Sequence, residues 1–309
     1  MIPRTLTLHM DFHKNLPTPK VTSKDCYYAN KLRTNLFGIY CGNQDVINCF
    51  MYDETIAGTG PNGVISLLDY LLVKVHQEQG KHQTLIVWVD NSPAQFKENY
   101  LFFYMDYLVK KGDFLRTDLK FLWEGHSYSY YDRRFGTNQK YLDNQETIEV
   151  PKDWATVLNK SHLLNIKVYW VSQEMIKDYK SFLKLQYVSR NEDLSQTKFE
   201  VKNLAWINFG IGEEVDDEGT LQLVHHPDSA FVRFSMDAKQ PPLTVSYQKK
   251  KQETNLRPEL LTILRQELRP VREDVKRFCL KLAQKYLNEN AVKFYASLPC
   301  TEEDSDNED

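Results

Sequence analysis

The chain has 309 residues and no apolar run approaching 18 residues, so no segment is expected to cross a membrane as a helix. Its first residues, Met1-Ile2-Pro3-Arg4, pass almost at once into a strand-like run and do not read as a signal peptide. Cysteine is scarce: Cys26, Cys41, Cys49, Cys279 and Cys300 make an odd set with no Cys-x-x-Cys pair. That pattern argues against a zinc knuckle and suits free thiols in a reducing compartment, nuclear or cytoplasmic. There is no GxGxxG, Walker A loop, HExxH or GxSxG. Nucleotide cofactors, zinc hydrolysis and serine or cysteine acyl transfer therefore lack positive support. Internal repeats are absent, and the only low-complexity tract is the C-terminal tail.

What is present is enough apolar material for a real core: 41% hydrophobic residues, 13% of the chain aromatic. The formal net charge of −3 hides an asymmetry. The tail 301–309 carries six acids and no base, while residues 249–293 hold twelve Lys/Arg against six Asp/Glu. A basic segment before an acidic tail suits an anionic partner such as nucleic acid. It equally describes a solvated helical face followed by a solubilising end.

Residues 85–89, Leu-Ile-Val-Trp-Val, are too short for a helix and rich in β-branched types, so they read as a strand buried on both faces. The strand ends on Asp90, followed by the turn formers Asn91-Ser92-Pro93. Phe96, Tyr100, Phe103 and Tyr107 then recur at helical spacing, predicting a helix over about 95–111. Earlier strands are expected at 6–11, 35–41 and 46–52, with a hairpin turn at Gly42-Asn43-Gln44-Asp45. The two prolines in 13–19 are expected to end the first strand's ladder. Val64, Leu67, Leu68, Leu71, Leu72 and Val75 mark one face of a helix stopping near Gly80. A strand at 119–123 and a more polar helix from about Tyr130 follow.

Three closely connected strands, then helix, strand, helix, strand, helix, give a mixed α/β sheet with antiparallel and parallel parts. This βββαβαβα order is that of the ribonuclease H fold. Beyond it, helical stretches are expected at 150–161 and 174–185. Strands are expected at 166–171, 201–209, 221–224, 230–234 and 243–247. Amphipathic helices are expected at 257–268 and 271–286. The domain reading is a core over 1–150, an accessory β-rich region over 151–248 packed on it, basic C-terminal helices over 249–298, and an acidic disordered tail over 299–309.

Asp11 ends the first strand, Asp90 ends the fourth, and Asp132 opens the helix after the fifth. In that fold the first and fourth strands are neighbours, which sets Asp11 beside Asp90 and brings Asp132 over both. Clustered carboxylates repel unless a cation holds them, and Mg²⁺ or Mn²⁺ in a two-metal arrangement suits oxygen ligands and phosphodiester chemistry. Asp90 alone is also an ordinary turn or cap residue. Glu124 and His126 compete for the third position. Lys14, Lys20, Gln95, Lys97 and Asn99 line the same sheet edge as candidate backbone contacts. Arg133, Arg134 and His126 are candidate nucleic-acid contacts, and Tyr128, Tyr130 and Tyr131 could stack on bases.

The ordered set of motifs adds a resemblance. Asp11-Phe-His-Lys-Asn-Leu-Pro-Thr-Pro-Lys20, Tyr52-Asp-Glu-Thr55 with Gly60-Pro-Asn, Asp90-Asn-Ser-Pro-Ala-Gln-Phe-Lys-Glu-Asn99, Gly125-His-Ser with Asp132-Arg-Arg-Phe-Gly136, Val150-Pro-Lys-Asp-Trp154 and Phe294-Tyr-Ala-Ser-Leu298 stand in that order. The chain thereby resembles, from about residue 6 to 298, a widespread eukaryotic domain of unknown function found in transposon-derived proteins. The resemblance implies a transposase-like DDE domain that cleaves or transfers DNA strands with metal ions. Asp11, Asp90 and Asp132 match its acidic positions, DNA is the implied partner, and homo-oligomer assembly is compatible with it. Two departures stand out. The usual Arg-Gly-x-x-Glu is here Thr59-Gly60-Pro61-Asn62-Gly63, so a base and an acid are missing. Upstream recognition segments common in such proteins have no counterpart before the first strand. The alternative is a catalytically inactive, domesticated module that binds DNA or protein. A third reading is an enzyme on small phosphoesters.

Overall fold

Every second residue of the first strand, Leu6, Leu8 and Met10, is sealed from solvent, and the residues between them are half-exposed. The same alternation recurs over Thr84–Val89 of the computed structural model, whereas Leu32–Cys41 and Val46–Asp53 are buried almost throughout. The structure describes residues 5–26, 30–91, 96–122, 130–161, 165–215, 221–237, 239–249 and 257–301. The first elements are β1 (Thr5–Phe12), β2 (Leu16–Thr18), β3 (Leu32–Cys41) and β4 (Val46–Asp53). Helix α1 (Pro61–Gln79), β5 (Thr84–Val89), α2 (Asn99–Lys110) and β6 (Arg116–Phe121) follow. Then come α3 (Tyr130–Asp143), α4 (Pro151–Asn159), β7 (Ile166–Trp170) and α5 (Tyr179–Lys184). The chain continues through β8 (Trp206–Val215), β9 (Leu221–Arg233) and β10 (Leu243–Val245). It closes with β11 (Val271–Arg272), α6 (Glu273–Tyr286), α7 (Glu289–Ser297) and β12 (Cys300–Thr301).

Ten strands form one mixed sheet in the order β10-β9-β8-β6-β5-β1-β3-β4-β7, with β2 beside β3. β3 lies antiparallel to β1 and β4, joined to the latter by the expected turn, while β5 and β6 run parallel to β1 through the α1 and α2 crossovers. The later part of the chain does not build a second sheet. β7 extends one edge parallel to β4, and β8, β9 and β10 extend the other edge antiparallel from β6.

One face carries an unbroken apolar layer. Leu6, Leu8, Met10, Phe37, Ile39, Phe50, Leu85, Val87, Val89, Leu119, Ile207 and Val232 pack with α1 and α2 residues such as Leu67, Leu71, Phe102 and Met105. The apolar stripe expected for α1 lies wholly in this layer. The opposite face has a smaller cluster, in which Leu36, Ile47, Cys49 and Met51 meet Leu142 of α3 and Trp154, Ala155 and Leu158 of α4. The C-terminal helices close a third cluster around Leu32 with Val275, Cys279, Ala291 and Tyr295. Among the described residues no helix is long and apolar enough to cross a membrane.

Several sequence expectations are corrected. The first strand does end at Phe12, before the prolines, but they do not break every ladder: Pro17 sits inside β2, paired opposite Arg33. The residue tolerates this because β2 is an edge segment, where one side of the backbone has no ladder to serve. Residues 257–268 are not an amphipathic helix but a short 3-10 turn (Pro258–Leu260) and extended chain. There Ile263 bridges to Lys177, Thr262 accepts from the Asp178 N–H and Leu264 donates to the Ile176 carbonyl, so the backbone is engaged between segments and no helix forms. The helix expected over 174–185 is a 3-10 turn (Gln173–Met175) followed by the short α5. Residues 221–224 and 230–234 belong to one long strand, β9, and α7 was not foreseen.

Candidate functional site

The parallel pairing of β1 with β5 ends at Met10 opposite Val89, so the next residues, Asp11, still paired with β3, and Asp90, just past the end of β5, stand at the carboxyl edge of these two adjacent strands. Met10 and Val89 point into the sealed layer, which turns both aspartates to the other face. They share that face with His9 and Trp88, whose rings stack across the two strands at 6.1 Å and 15°. Both aspartates are half-buried. The Asp11 Oδ1 accepts from the Phe12 N–H at 2.7 Å, and on β3 the residue opposite Asp11 is Gly38, which adds no side chain beside the carboxylate.

Helix α3 lies on this same face. Its Leu142 packs on Leu36, which alternation puts on the same side of β3 as Gly38 and Tyr40. Near the strand end, the His13 Nδ1 meets the Gln139 Oε1 at 3.0 Å. Burial pushes the His13 imidazole down to about 4, against the opposing pulls of the Gln139 hydrogen bond and the Asp143 charge. The ring is therefore neutral at pH 7 and ties α3 to the end of β1 without adding charge. Lys20 fixes the other end of α3, donating to the Asp143 carbonyl at 2.6 Å and the Leu142 carbonyl at 3.4 Å. A lysine at a helix C-terminus satisfies orphan carbonyls and opposes the helix dipole.

Asp132 lies in the first turn of α3, two turns before Gln139. Its side chain, and those of Arg133 and Arg134, lie outside the described residues, as do His126, Glu124, Gln95, Tyr128 and the side chains of Tyr130 and Tyr131. Among the described residues no three His, Cys, Asp or Glu side chains gather as a metal-holding group. Of the expected contacts, Lys14 is exposed. Lys97 is a correction: it is only 6% exposed, donates to the Lys202 carbonyl and lies 4.9 Å from the Phe121 ring centroid, so its ammonium serves the interior.

Sequence reasoning missed what lies next to Asp90. A row of side chains crosses the sheet on the same face: Tyr40, His9, Trp88, Lys120, Trp206 and Arg233, each paired in register with the next. Beneath it, the buried Asp118 accepts from Arg116 at 2.7 and 3.0 Å, from the Trp206 Nε1 at 2.7 Å and from the Asn208 Nδ2 at 3.1 Å. The signal was the polar alternation Arg116, Asp118, Lys120, which marks a strand with one face not sealed by apolar packing.

No curated protein and no solved structure matches the chain. A family model described as a domain of unknown function, DUF7869, matches residues 24–205. The matched span takes in Asp90 and Asp132 and begins after Asp11.

Proposed function

We propose, from the premise that the chain belongs to the DUF7869 family of domains of unknown function, that it is a transposase-derived, DDE-type domain acting on DNA phosphodiester bonds. The observation that carries this reading is the delivery of Asp11 and Asp90 to the carboxyl ends of two adjacent parallel strands, on the face where α3 packs. The central strand order β4-β3-β1-β5-β6, with β3 antiparallel to its neighbours, supports a ribonuclease H-like core. The placement of Asp132 in the first turn of α3 supports it as the third acid.

Asp11 and Asp90 fit Mg²⁺ or Mn²⁺ in kind, since both are hard oxygen donors on a half-buried edge. Asp11, Asp90 and Asp132 would hold the metal, which when bound supplies charge neutralisation and activation of water at a phosphodiester. The chain's own residues do the positioning. The parallel pairing of β1 with β5 fixes the two carboxylates relative to each other, and the Phe12 N–H orients Asp11. His13, neutral and bonded to Gln139, anchors α3 beside them.

Binding of Mn²⁺ followed by calorimetry tests the reading, with wild type compared to Asp90→Asn and both assayed for nicking of supercoiled plasmid. The expected result is binding and nicking by the wild type, both lost in the variant. A folded wild type that binds no metal would overturn it. One observation favours a second reading, an inactive module that binds DNA or protein. Gly63, where the resembled family has an acid, lies in the first turn of α1. A Cβ there would make ordinary contacts, 3.4 Å to the Gly58 carbonyl and 3.7 Å to the Tyr52 hydroxyl, so space at the backbone does not explain the missing acid.

A further inference from the structure

We infer that the outer edge of β7 is a dimerisation surface, where the strand pairs antiparallel with the same strand of a second copy of the chain. The inference is independent of the phosphodiester reading and starts from the backbone. The Asn165 carbonyl accepts from the Ile47 N–H, and the Val171 N–H donates to the Met51 carbonyl, each at 2.9 Å. Odd-numbered residues of this stretch therefore turn their polar backbone groups toward β4. Alternation turns the N–H and C=O groups of Ile166, Val168 and Trp170 outward. β7 ends the sheet, and among the described residues nothing hydrogen-bonds those outward groups.

The two end strands of the sheet differ in how they are protected. β10 is three residues long and follows Pro241 and Pro242. It is also covered: the Leu194 N–H donates to the Thr244 carbonyl at 2.9 Å, and just beyond the strand the Val188 N–H donates to the Tyr247 carbonyl at 2.8 Å. Short strands, prolines and covering segments are the ordinary protection of a sheet edge against another chain. β7 has five residues, no proline and no register shift against β4. Ile166, Val168, Tyr169 and Trp170 are half-exposed. Its single charge, Lys167, has the Glu78 carboxylate of α1 3.7 Å away, which offsets the repulsion a lysine would otherwise offer an incoming copy.

Such an edge takes an extended strand, and the sequence of β7 complements itself. One antiparallel register pairs every outward residue. Val168 meets Val168 of the partner subunit at the two-fold axis, and Ile166 meets Trp170 of the partner subunit on either side of it. Each of these pairs exchanges two backbone hydrogen bonds. The register also sets a β-branched side chain against an aromatic one, a favourable cross-strand pair, on the face where α4 packs. On the α1 face, Lys167 lies opposite the partner's Tyr169. The surface is thus isologous, as a two-fold dimer requires. β7 runs parallel to β4 and, through the antiparallel β3, to β1 and β5. The joined sheet therefore carries its two Asp11 and Asp90 edges at opposite ends.

Sedimentation velocity over a dilution series reaching about 100 μM tests the dimer, since an interface centred on one strand pair is small and weak. Wild type should pass from monomer to dimer across the series. Val168→Pro removes the N–H at the axis, which the monomer does not use, and should weaken the dimer roughly tenfold or more through loss of both central bonds. Glu78→Lys, an exposed substitution, should weaken it several-fold, most at low salt, by leaving like charges around the axis. Amide exchange at single-residue resolution gives a readout on wild type alone, which stands even where Val168→Pro does not fold. Lys167, Tyr169 and Val171 should be protected at every concentration, and Ile166, Val168 and Trp170 only where the dimer forms. A wild type that stays monomeric, a dimer whose outward amides exchange freely, or a dimer left intact by a folded Val168→Pro would each overturn the pairing. Outward amides protected in a monomer would put an extended peptide on the edge and overturn the second copy as its occupant.

Discussion

Leu8, Val87, Leu119 and Ile207 stand in one register row under α1 and α2; the residues one step along, His9, Trp88, Lys120 and Trp206, form a row on the other face. The first row is sealed and apolar. The second mixes rings and a cation and leads to two carboxylates at the edge. The same four strands build both, because successive side chains point to opposite faces. The comparison teaches a division of labour. One face supplies the burial that holds the strands in register, and this frees the other to carry groups that would be costly inside a core.

The sharpest way to break the comparison is to damage the sealed face. Phe102→Ala, removing a fully buried ring of α2, should cost about 3–5 kcal/mol in denaturant unfolding. Asp118→Ala, on the open face but buried, should cost about 3 kcal/mol or more, since it strands Arg116 and the Trp206 indole N–H without their acceptor. An equally small loss there to that of an exposed substitution would show the face to be a passive surface.

Acid provides a third measure. The His13 ring has a folded pKa of about 4 against 6.5 in an ordinary setting. The unfolded chain therefore takes the proton first as the pH falls. Stability from this group is complete above pH 6.5, is lost between 6.5 and 4, and falls no further below 4. The loss is up to about 3 kcal/mol. His76 and His82, lowered chiefly by burial, act in the same direction. His13→Gln should narrow the difference between the thermal midpoints at pH 7.5 and pH 4.5 without removing it. The smallest effect on stability is expected at the strand-end acids. Asp90→Asn should leave unfolding within about 0.5 kcal/mol of wild type, as befits a half-exposed group outside the core. A large loss there would make Asp90 a structural cap.

Legibility in the sequence followed the range of the forces involved. Strand β5 and helices α1 and α2 were readable because their periodicity reports burial against a single large layer. The adjacency of β1 and β5, which puts Asp11 and Asp90 one residue beyond the last pair, Met10 and Val89, followed from the order of elements. Residues 257–268 misled because Leu260, Leu261, Leu264 and Leu268 have helical spacing, whereas the backbone is engaged by residues 176–178, remote in sequence. Lys97 misled because a lysine near a strand end reads as exposed, and only the fold brings the Lys202 carbonyl to it. The row through Lys120 and Trp206 was invisible because β6 and β8 are separated by more than eighty residues and pair only in the folded sheet.

The sequence by itself determined the mixed α/β class, the sealed face and the arrival of acids at strand ends, since alternation and helical period are local consequences of burying apolar side chains. Tertiary structure alone decided that the later strands extend the same sheet at both edges, that α3 is anchored through His13 and Gln139, and that Lys120 stands between two tryptophans. Those outcomes depend on pairing between distant segments, where strand register and competition for hydrogen-bond partners act across the whole chain.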